Sequence, residues 1–270
     1  MSGTIQGVAA LRIRPVAAAL CAGALALSGA CGAGQSEDSQ SSARESVEAA
    51  PKADAESREK KRPEAKALRL LENGNPTVFV KVGATVDLYD EPDGKVVESV
   101  GHMTDFGSRT VYAVTEEKNN WAAVLTPVTE NGEPLWLELD PERLRAGRTV
   151  WDLEVDLSEF ETRLYEGGKL VKTFPVSVGM PTAPTPTGRF AITDTFRGGL
   201  NEAYGCCALA TTARQTNLPS GWLGGDRIAF HGTSGEIGAE VSHGCVRAAD
   251  GDVSALVDRV PPGTPVEIHE

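Results

Sequence analysis

Apolar and polar residues alternate in several short stretches of the chain, a pattern that predicts β-strands. Between Trp151 and Leu157, every second residue is apolar and the residues between them are acidic. A period of two places the apolar side chains on one face of a strand. A hairpin should follow, with strands at 161–165 and 170–178 joined by the Gly167-Gly168 turn.

The region 76–147 contains further β-rich runs separated by turn residues. The runs are Thr77–Val82, Val86–Tyr89, Lys95–Val100 and Thr110–Val114. Turn chemistry lies between them, at Glu91–Gly94 and Glu117–Asn120. Many short strands in about seventy residues predict a small β-barrel. With aromatic residues at Trp121 and Trp136, the region resembles a bacterial SH3-type module.

The last region, 148–270, is expected to form a second β-domain with one short helix. The helix should run from about Asp250 to Val260, and Pro261 follows it. Its apolar residues share one face: Val253, Leu256, Val257 and Val260. A strand at 228–230 should end at His231, and a strand at 266–269 should close the domain. The predicted fold class is mainly β, a sandwich or barrel preceded by the small module.

The first thirty residues have the pattern of a secretory signal peptide. Arg12 and Arg14 precede an uncharged run, Pro15–Ala30, rich in alanine and leucine. This run is shorter than a membrane span of about 20 residues. Its end, Leu27–Cys31, resembles a lipoprotein signal in which Cys31 is acylated. The alternative is an ordinary signal peptide, residues 1–30, with an incidental cysteine.

Residues 31–75 contain almost no bulky apolar side chain before Leu68, which predicts a disordered tether. Together with Cys31, the tether predicts an exported lipoprotein that is anchored in the cell membrane and faces the cell wall. The formal net charge of the whole chain is −12. Nucleic acids and anionic membrane surfaces attract cationic proteins, so no nucleic-acid partner is expected.

The five cysteines divide into groups by position. Cys21 leaves with the signal peptide, and Cys31 is the candidate lipidation site. Cys206, Cys207 and Cys245 remain, and an odd number in an oxidising compartment leaves at least one free thiol. Adjacent cysteines bridge only through a strained ring, so a disulfide between Cys206 and Cys207 is not expected. They should be small packed residues; a reversible bridge from one of them to Cys245 is the alternative.

Reactive side chains are concentrated in two nearby motifs, His231–Thr233 and Ser242–Arg247 (SHGCVR). A thiol attacks as thiolate, and a nearby imidazole can take its proton and later return it to a leaving amine. Glycine lets the backbone approach a substrate, and its N–H can face a developing oxyanion. The motifs therefore predict a cysteine nucleophile with a histidine base.

Here the chain, from about Thr149 to His269, resembles the L,D-transpeptidase catalytic-domain family. The resemblance rests on these two motifs and on Pro184–Phe190 (PTPTGRF), all in family order. It implies that Cys245 is the nucleophile and His231 the general base and acid. It also implies that the Gly232 carbonyl orients the imidazole. Substrate-binding or supporting roles are implied for four further residues: Ser242, His243, Gly244 and Arg247.

The resemblance also implies a reaction. Cys245 would attack the third residue of a peptidoglycan tetrapeptide stem, release the terminal D-Ala and pass the acyl group to a neighbouring stem as a 3→3 cross-link. No cofactor is expected, and the partners would be stem peptides and, through the lipid, the membrane. The enzyme is expected to be a monomer. Two alternatives remain: an L,D-carboxypeptidase that uses water, and a wall-binding protein whose catalytic domain has decayed.

Some assignments stay open on the residues alone. His243 is nearer than His231 to Cys245 in sequence and could be the base, because sequence distance is no guide to geometry. The Pro184–Gly188 segment is either a structural turn or a substrate contact. Zinc could in principle be held by His231, His243, Cys245 and either Cys206 or Cys207. The spacing of these residues matches no familiar zinc pattern.

Overall fold

The computed structural model describes residues 68, 70, 73–222 and 224–270. The predicted signal peptide, Cys31 and most of the predicted tether lie outside the described residues. Within the described part, no helix is long and apolar enough to cross a membrane.

The first sheet has seven strands, and each strand pairs with its neighbours in the antiparallel direction. They are β1 (Asn75–Val80), β2 (Thr85–Tyr89), β3 (Val96–Gly101), β4 (Val111–Lys118), β5 (Trp121–Val124), β6 (Leu135–Glu138) and β7 (Leu144–Thr149). The spatial order is β3-β2-β6-β5-β4-β1-β7. Its core contains fully buried aliphatic residues such as Val78, Leu88 and Leu137.

The four β-rich runs predicted for this region are strands β1 to β4. The predicted turn at 117–120 joins β4 to β5 through Asn119, whose φ of 55° suits asparagine. Strand β7 was not predicted, because its sequence LRAGRT is charged and buries only its two ends. The SH3-type resemblance and the domain boundaries stay predictions.

The second part of the chain contains ten strands and one α-helix. They are β8 (Trp151–Asp156), β9 (Glu161–Glu166), β10 (Lys169–Pro175), β11 (Val178–Gly179), β12 (Gly188–Phe196), β13 (Ala208–Arg214), β14 (Arg227–Thr233), β15 (Glu240–Ser242), β16 (Val246–Ala249), α1 (Asp250–Val257) and β17 (Pro265–His269). Eight strands form one mixed sheet in the order β10-β9-β8-β17-β12-β13-β14-β16. Strands β11 and β15 form a separate parallel pair.

The predicted fold class, mainly β with one short helix, is confirmed. The alternating stretch is β8, with Leu153 and Val155 buried in the larger core. Helix α1 ends at Val257, three residues before its predicted end, although Val260 is still buried. The strand predicted to stop at His231 continues to Thr233, because β16 pairs with it through that residue.

The two sheets contact each other inside one compact unit of the chain. Asn131 donates from Nδ2 to the Arg214 carbonyl at 2.6 Å, and its Oδ1 accepts the Arg214 N–H at 2.7 Å. Thr104 donates to the buried carboxylate of Asp194 at 2.5 Å. These hydrogen bonds attach the first sheet to strands β12 and β13 of the second.

Candidate active site

Strands β14 and β16 bring the two predicted catalytic residues together. The strands are parallel neighbours, with Phe230 opposite Val246 and His231 opposite Arg247. Cys245 directly precedes β16. Since side chains alternate along a strand, Cys245, Arg247 and His231 share one face, while Phe230 and Val246 point into the core.

His231 is buried, and its ring is held from two sides. Its Nδ1 atom lies 2.9 Å from the Gly232 carbonyl oxygen. A carbonyl only accepts, so Nδ1 carries the hydrogen and Nε2 of the neutral ring is left with a lone pair. The Tyr204 ring packs edge-to-face on the imidazole, with 5.0 Å between centroids. Burial lowers the pKa of His231, partly offset by the bond to Gly232.

The thiol of Cys245 is half-buried and is the free cysteine of the described residues. Its Sγ lies 4.0 Å from the Arg227 carbonyl oxygen. Burial raises the thiol pKa, opposed by a backbone bond from Ala229 and by the charge of Arg247. With the thiol pKa raised and the His231 pKa lowered, the resting pair at neutral pH is a neutral thiol and a neutral imidazole.

A tight turn presents Cys245, the predicted nucleophile. This nucleophile turn, Ser242–Cys245, lies between β15 and β16. The buried Ser242 hydroxyl donates to the Cys245 carbonyl at 2.7 Å and accepts the Gly244 N–H at 3.0 Å. Gly244 has a φ of 108°, a conformation that suits glycine. The expectation that glycine N–H groups face the oxyanion is wrong for Gly244, because Ser242 already binds its N–H.

The two other polar residues of the motif have different surroundings. His243 stacks against Trp222, with 4.7 Å between ring centroids, and Trp222 donates to the Gly225 carbonyl at 3.1 Å. Arg247 is half-buried, and its Nε atom is buried with no hydrogen-bond partner among the residues that the structure describes. Buried donors without a partner are uncommon in folded proteins.

One cavity of about 120 Å³ joins these groups. Four predicted site residues line it: His231, His243, Cys245 and Arg247. Three other predicted site residues are buried and do not line it: Gly232, Ser242 and Gly244. Sequence reasoning missed the other lining residues, among them Tyr204, Gln215 and Trp222. The one sequence feature that could have indicated them is that Tyr204 and Trp222 are aromatic residues beside glycines.

A larger cavity of about 460 Å³ lies between the two sheets. It contains neither Cys245 nor His231.

Gly232 lies where a side chain would not fit. A Cβ atom there would lie 2.1 Å from Asp250 Oδ1 and 3.0 Å from the Cys206 nitrogen. The Gly232 N–H donates to the Cys207 carbonyl at 3.2 Å. The absence of a side chain therefore lets β14 pack tightly against the start of α1, directly beside His231.

Cys206 and Cys207 form a disulfide with each other, contrary to the sequence-based expectation. Backbone hydrogen bonds fix both residues just before β13. Asp250 accepts the Cys206 N–H at 3.1 Å, and Gly232 binds the Cys207 carbonyl, so both residues are held in place. Among the described residues, no group of three or more His, Cys, Asp or Glu side chains could hold a metal ion.

Comparison with known proteins finds a family model for the second part of the chain. Residues 151–268 match the family model YkuD, described as the L,D-transpeptidase catalytic domain. The second part of the chain is thus similar to the catalytic domain of the YkuD family of L,D-transpeptidases. The resemblance inferred from the motifs is thereby confirmed. The match begins at Trp151, so the first sheet lies outside it.

Curated relatives share this domain. The YkuD protein of Bacillus licheniformis is 35% identical over 122 residues, which are 43% of this chain and 64% of that protein. The YkuD protein of Bacillus subtilis is 35% identical over 107 residues, 37% of this chain and 55% of that protein. The chain thus spans less than two thirds of the length of each of these relatives.

Solved L,D-transpeptidase structures are also similar. L,D-transpeptidase 3 from Mycobacterium tuberculosis has 17% identity and a TM-score of 0.38, covering 51% of this chain and 74% of that one. The L,D-transpeptidase from Stackebrandtia nassauensis has 22% identity and a TM-score of 0.35, covering 46% and 57%.

Proposed function

We propose that this protein is an L,D-transpeptidase that forms 3→3 cross-links in peptidoglycan through a thioester on Cys245. One observation carries the proposal: Cys245 and His231 lie on the same face of two adjacent strands and open into one cavity. The contact between Nδ1 and Gly232 supports it, because it leaves Nε2 of His231 able to accept a proton.

The reaction follows from these two groups. His231 Nε2 takes the proton of the Cys245 thiol as Sγ attacks the carbonyl carbon of the third stem residue. The tetrahedral intermediate then collapses and expels the amine of the terminal D-Ala, which takes the proton from His231. A thioester remains on Cys245. The amine of a neighbouring stem attacks it, the new amide forms, and the thiol recovers its proton through His231.

The residues that line the cavity would contact the substrate. The Arg247 guanidinium, which lines the cavity, would bind a carboxylate of the stem peptide. The stacked His243 and Trp222 rings would form an apolar wall for the peptide backbone. In this scheme His243 is a binding residue, and His231 is the base.

Two measurements test the reaction. A carbapenem, whose strained ring offers an acylating carbonyl, should give a single adduct by intact-mass spectrometry on the wild-type protein and none on Cys245→Ala. Incubation with purified disaccharide-tetrapeptide should give dimers cross-linked between third residues. Disaccharide-tripeptide and D-Ala without any dimer would support the carboxypeptidase alternative. No adduct and no product would support the decayed wall-binding protein.

The choice of base has its own test. His231→Ala should lower the rate of acylation by roughly 10²–10⁴, the usual cost of losing a general base. His243→Ala should mainly raise KM, because it removes a wall of the cavity. The reverse pattern would assign the base to His243.

We further propose that the protein is exported and anchored by lipid on Cys31, the last residue of the Leu27–Cys31 signal. Mass spectrometry of the mature protein should find a diacylglyceryl group on Cys31, and Cys31→Ala should release the protein from membranes. An unmodified N-terminus at another residue would contradict the anchor.

A further inference from the structure

The hydrogen bonds inside the nucleophile turn fix its shape but not its place in the fold. Both internal bonds use the Ser242 hydroxyl. A backbone bond holds the start of the turn, since the Met180 N–H donates to the Ser242 carbonyl at 2.9 Å. Side chains from outside the turn hold the two residues that follow. Two buried side chains do so: Thr185, in the proline-rich PTPTG segment, and Gln215, which directly follows β13.

Gln215 connects the turn to the proline-rich segment. Its Nε2 group donates to the His243 carbonyl at 3.1 Å and to the Pro184 carbonyl at 2.9 Å. Both hydrogens of the amide are therefore used. Its Oε1 accepts the Asn217 N–H at 2.9 Å, which fixes the orientation of the amide.

Thr185 holds the next carbonyl of the turn. Its hydroxyl donates to the Gly244 carbonyl at 2.8 Å and accepts the Gly179 N–H at 2.9 Å. A hydroxyl group carries one hydrogen, and the Thr185 hydroxyl donates it to the Gly244 carbonyl. The proline-rich segment is thus a structural support of the nucleophile turn.

The lack of a side chain at Gly244 makes this arrangement possible. A Cβ atom there would lie 2.4 Å from Gln215 Nε2 and 2.8 Å from Ile228 Cδ1. Glycine lets the Gln215 amide lie directly against the turn. The two carbonyls that precede Cys245 are consequently both bound by buried side chains.

Because the peptide bond is planar, holding the Gly244 carbonyl also fixes the N–H of Cys245. In a trans peptide the C=O and the following N–H point in opposite directions. The hydroxyl of Thr185 holds the Gly244 carbonyl, and this sets the direction of the Cys245 N–H. The internal bonds of the turn do not use that N–H. It belongs to the nucleophile itself, where an oxyanion would form during acyl transfer.

We infer that Thr185 and Gln215 are positioning residues that fix the two peptide planes before Cys245 and so aim its N–H at the oxyanion. The inference rests on the proposed acyl transfer. It makes a specific statement about rates: losing the Thr185 hydroxyl should impair reactions that pass through an oxyanion and spare those that do not.

The test compares two reactions of the same thiol. Iodoacetamide alkylates Cys245 by displacement of iodide, with no oxyanion, whereas a carbapenem acylates it through a tetrahedral oxyanion. Thr185→Val should lower the second-order acylation rate by about 10–10²-fold, up to the loss seen when an oxyanion donor is removed. Alkylation should stay within about 3-fold of wild type. Thr185→Ser keeps the hydroxyl and should restore most of the acylation rate.

Gln215 provides a second variant if Thr185→Val does not fold. Gln215→Met keeps the length of the side chain and removes both donors, and it should show the same selective loss of acylation. The inference is overturned if acylation and alkylation fall in parallel in the folded variants, or if neither changes. Failure of the proposed function looks different, because the wild-type protein would then be alkylated by iodoacetamide but not acylated.

Discussion

The carbonyl oxygen of Gly232 lies 2.9 Å from Nδ1 of His231, its neighbour in the chain. A backbone carbonyl thus takes the place of the carboxylate that orients the histidine in a serine-protease triad. A neutral acceptor stabilises an imidazolium less than a carboxylate does, and burial also disfavours the charged ring. The result is a histidine that stays neutral and is ready to accept a proton.

The first prediction concerns pH. Because the His231 pKa is lowered, the base should stay deprotonated below the ordinary histidine value of about 6.5. The acylation rate should therefore rise with pH on an acidic limb whose midpoint lies below 6.5. It should then stay level through neutral pH, because the Cys245 pKa is raised and free thiolate contributes little. Carbapenem acylation measured from pH 4 to 9 checks this profile. A midpoint above 6.5, or a rate that climbs steadily across neutral pH, would contradict it.

The second prediction uses two glycines of the same region. Gly232→Ala places a Cβ atom 2.1 Å from Asp250 Oδ1. The clash should lower the free energy of unfolding by roughly 1–3 kcal/mol, as overpacking does. Gly251→Ala is the matched control, since no atom lies within 4 Å of its Cβ position in helix α1. It should raise stability by up to about 1 kcal/mol. Chemical denaturation measures both, and equal effects would show that the site tolerates a side chain at Gly232.

These residues show what sequence alone could reveal. The motifs predicted a cysteine nucleophile with a histidine base. The resemblance to the L,D-transpeptidase family implied that the base is His231 and that the Gly232 carbonyl orients it. The alternating strand β8 was equally visible. Strand β13, whose sequence is ALATTAR, is buried on both faces and shows no alternation. Gln215 was not predicted either, because no local sequence pattern indicates that its amide donates to two carbonyls distant in sequence.

Two expectations were wrong for a related reason. Gly244 was expected to offer its N–H to an oxyanion, but Ser242, two residues earlier, binds that group. Cys206 and Cys207 were expected to remain unbridged, but contacts with Asp250 and Gly232 hold both residues in place. In each case a tertiary or turn contact outweighed a rule that considers the residue in isolation.

The third prediction concerns Arg247. Arg247 lines the cavity that contains Cys245, so its guanidinium should bind a substrate carboxylate. Arg247→Lys keeps the charge but removes Nε and the planar fork. Losing a hydrogen bond to a charged group costs about 1.5–3 kcal/mol, so KM for the tetrapeptide should rise about 10–10²-fold, with a smaller change in kcat. Arg259→Lys, at an exposed arginine after α1, is the control and should leave both constants unchanged. An unchanged KM in Arg247→Lys would remove Arg247 from the substrate contacts.

The last prediction concerns the paired cysteines. Neither Cys206 nor Cys207 lines the cavity that contains Cys245. They support His231 through backbone atoms, the Cys206 N–H on Asp250 and the Cys207 carbonyl on Gly232. Side-chain substitution retains both contacts. The double variant Cys206→Ser, Cys207→Ala should therefore acylate within about 3-fold of the wild-type rate, with alanine at the buried position to avoid an unpaired hydroxyl. Rates measured with and without reductant should agree for this variant. If the folded variant lost most of its activity in reductant, the two sulfur atoms would have a direct part in placing His231 that their backbone contacts do not explain.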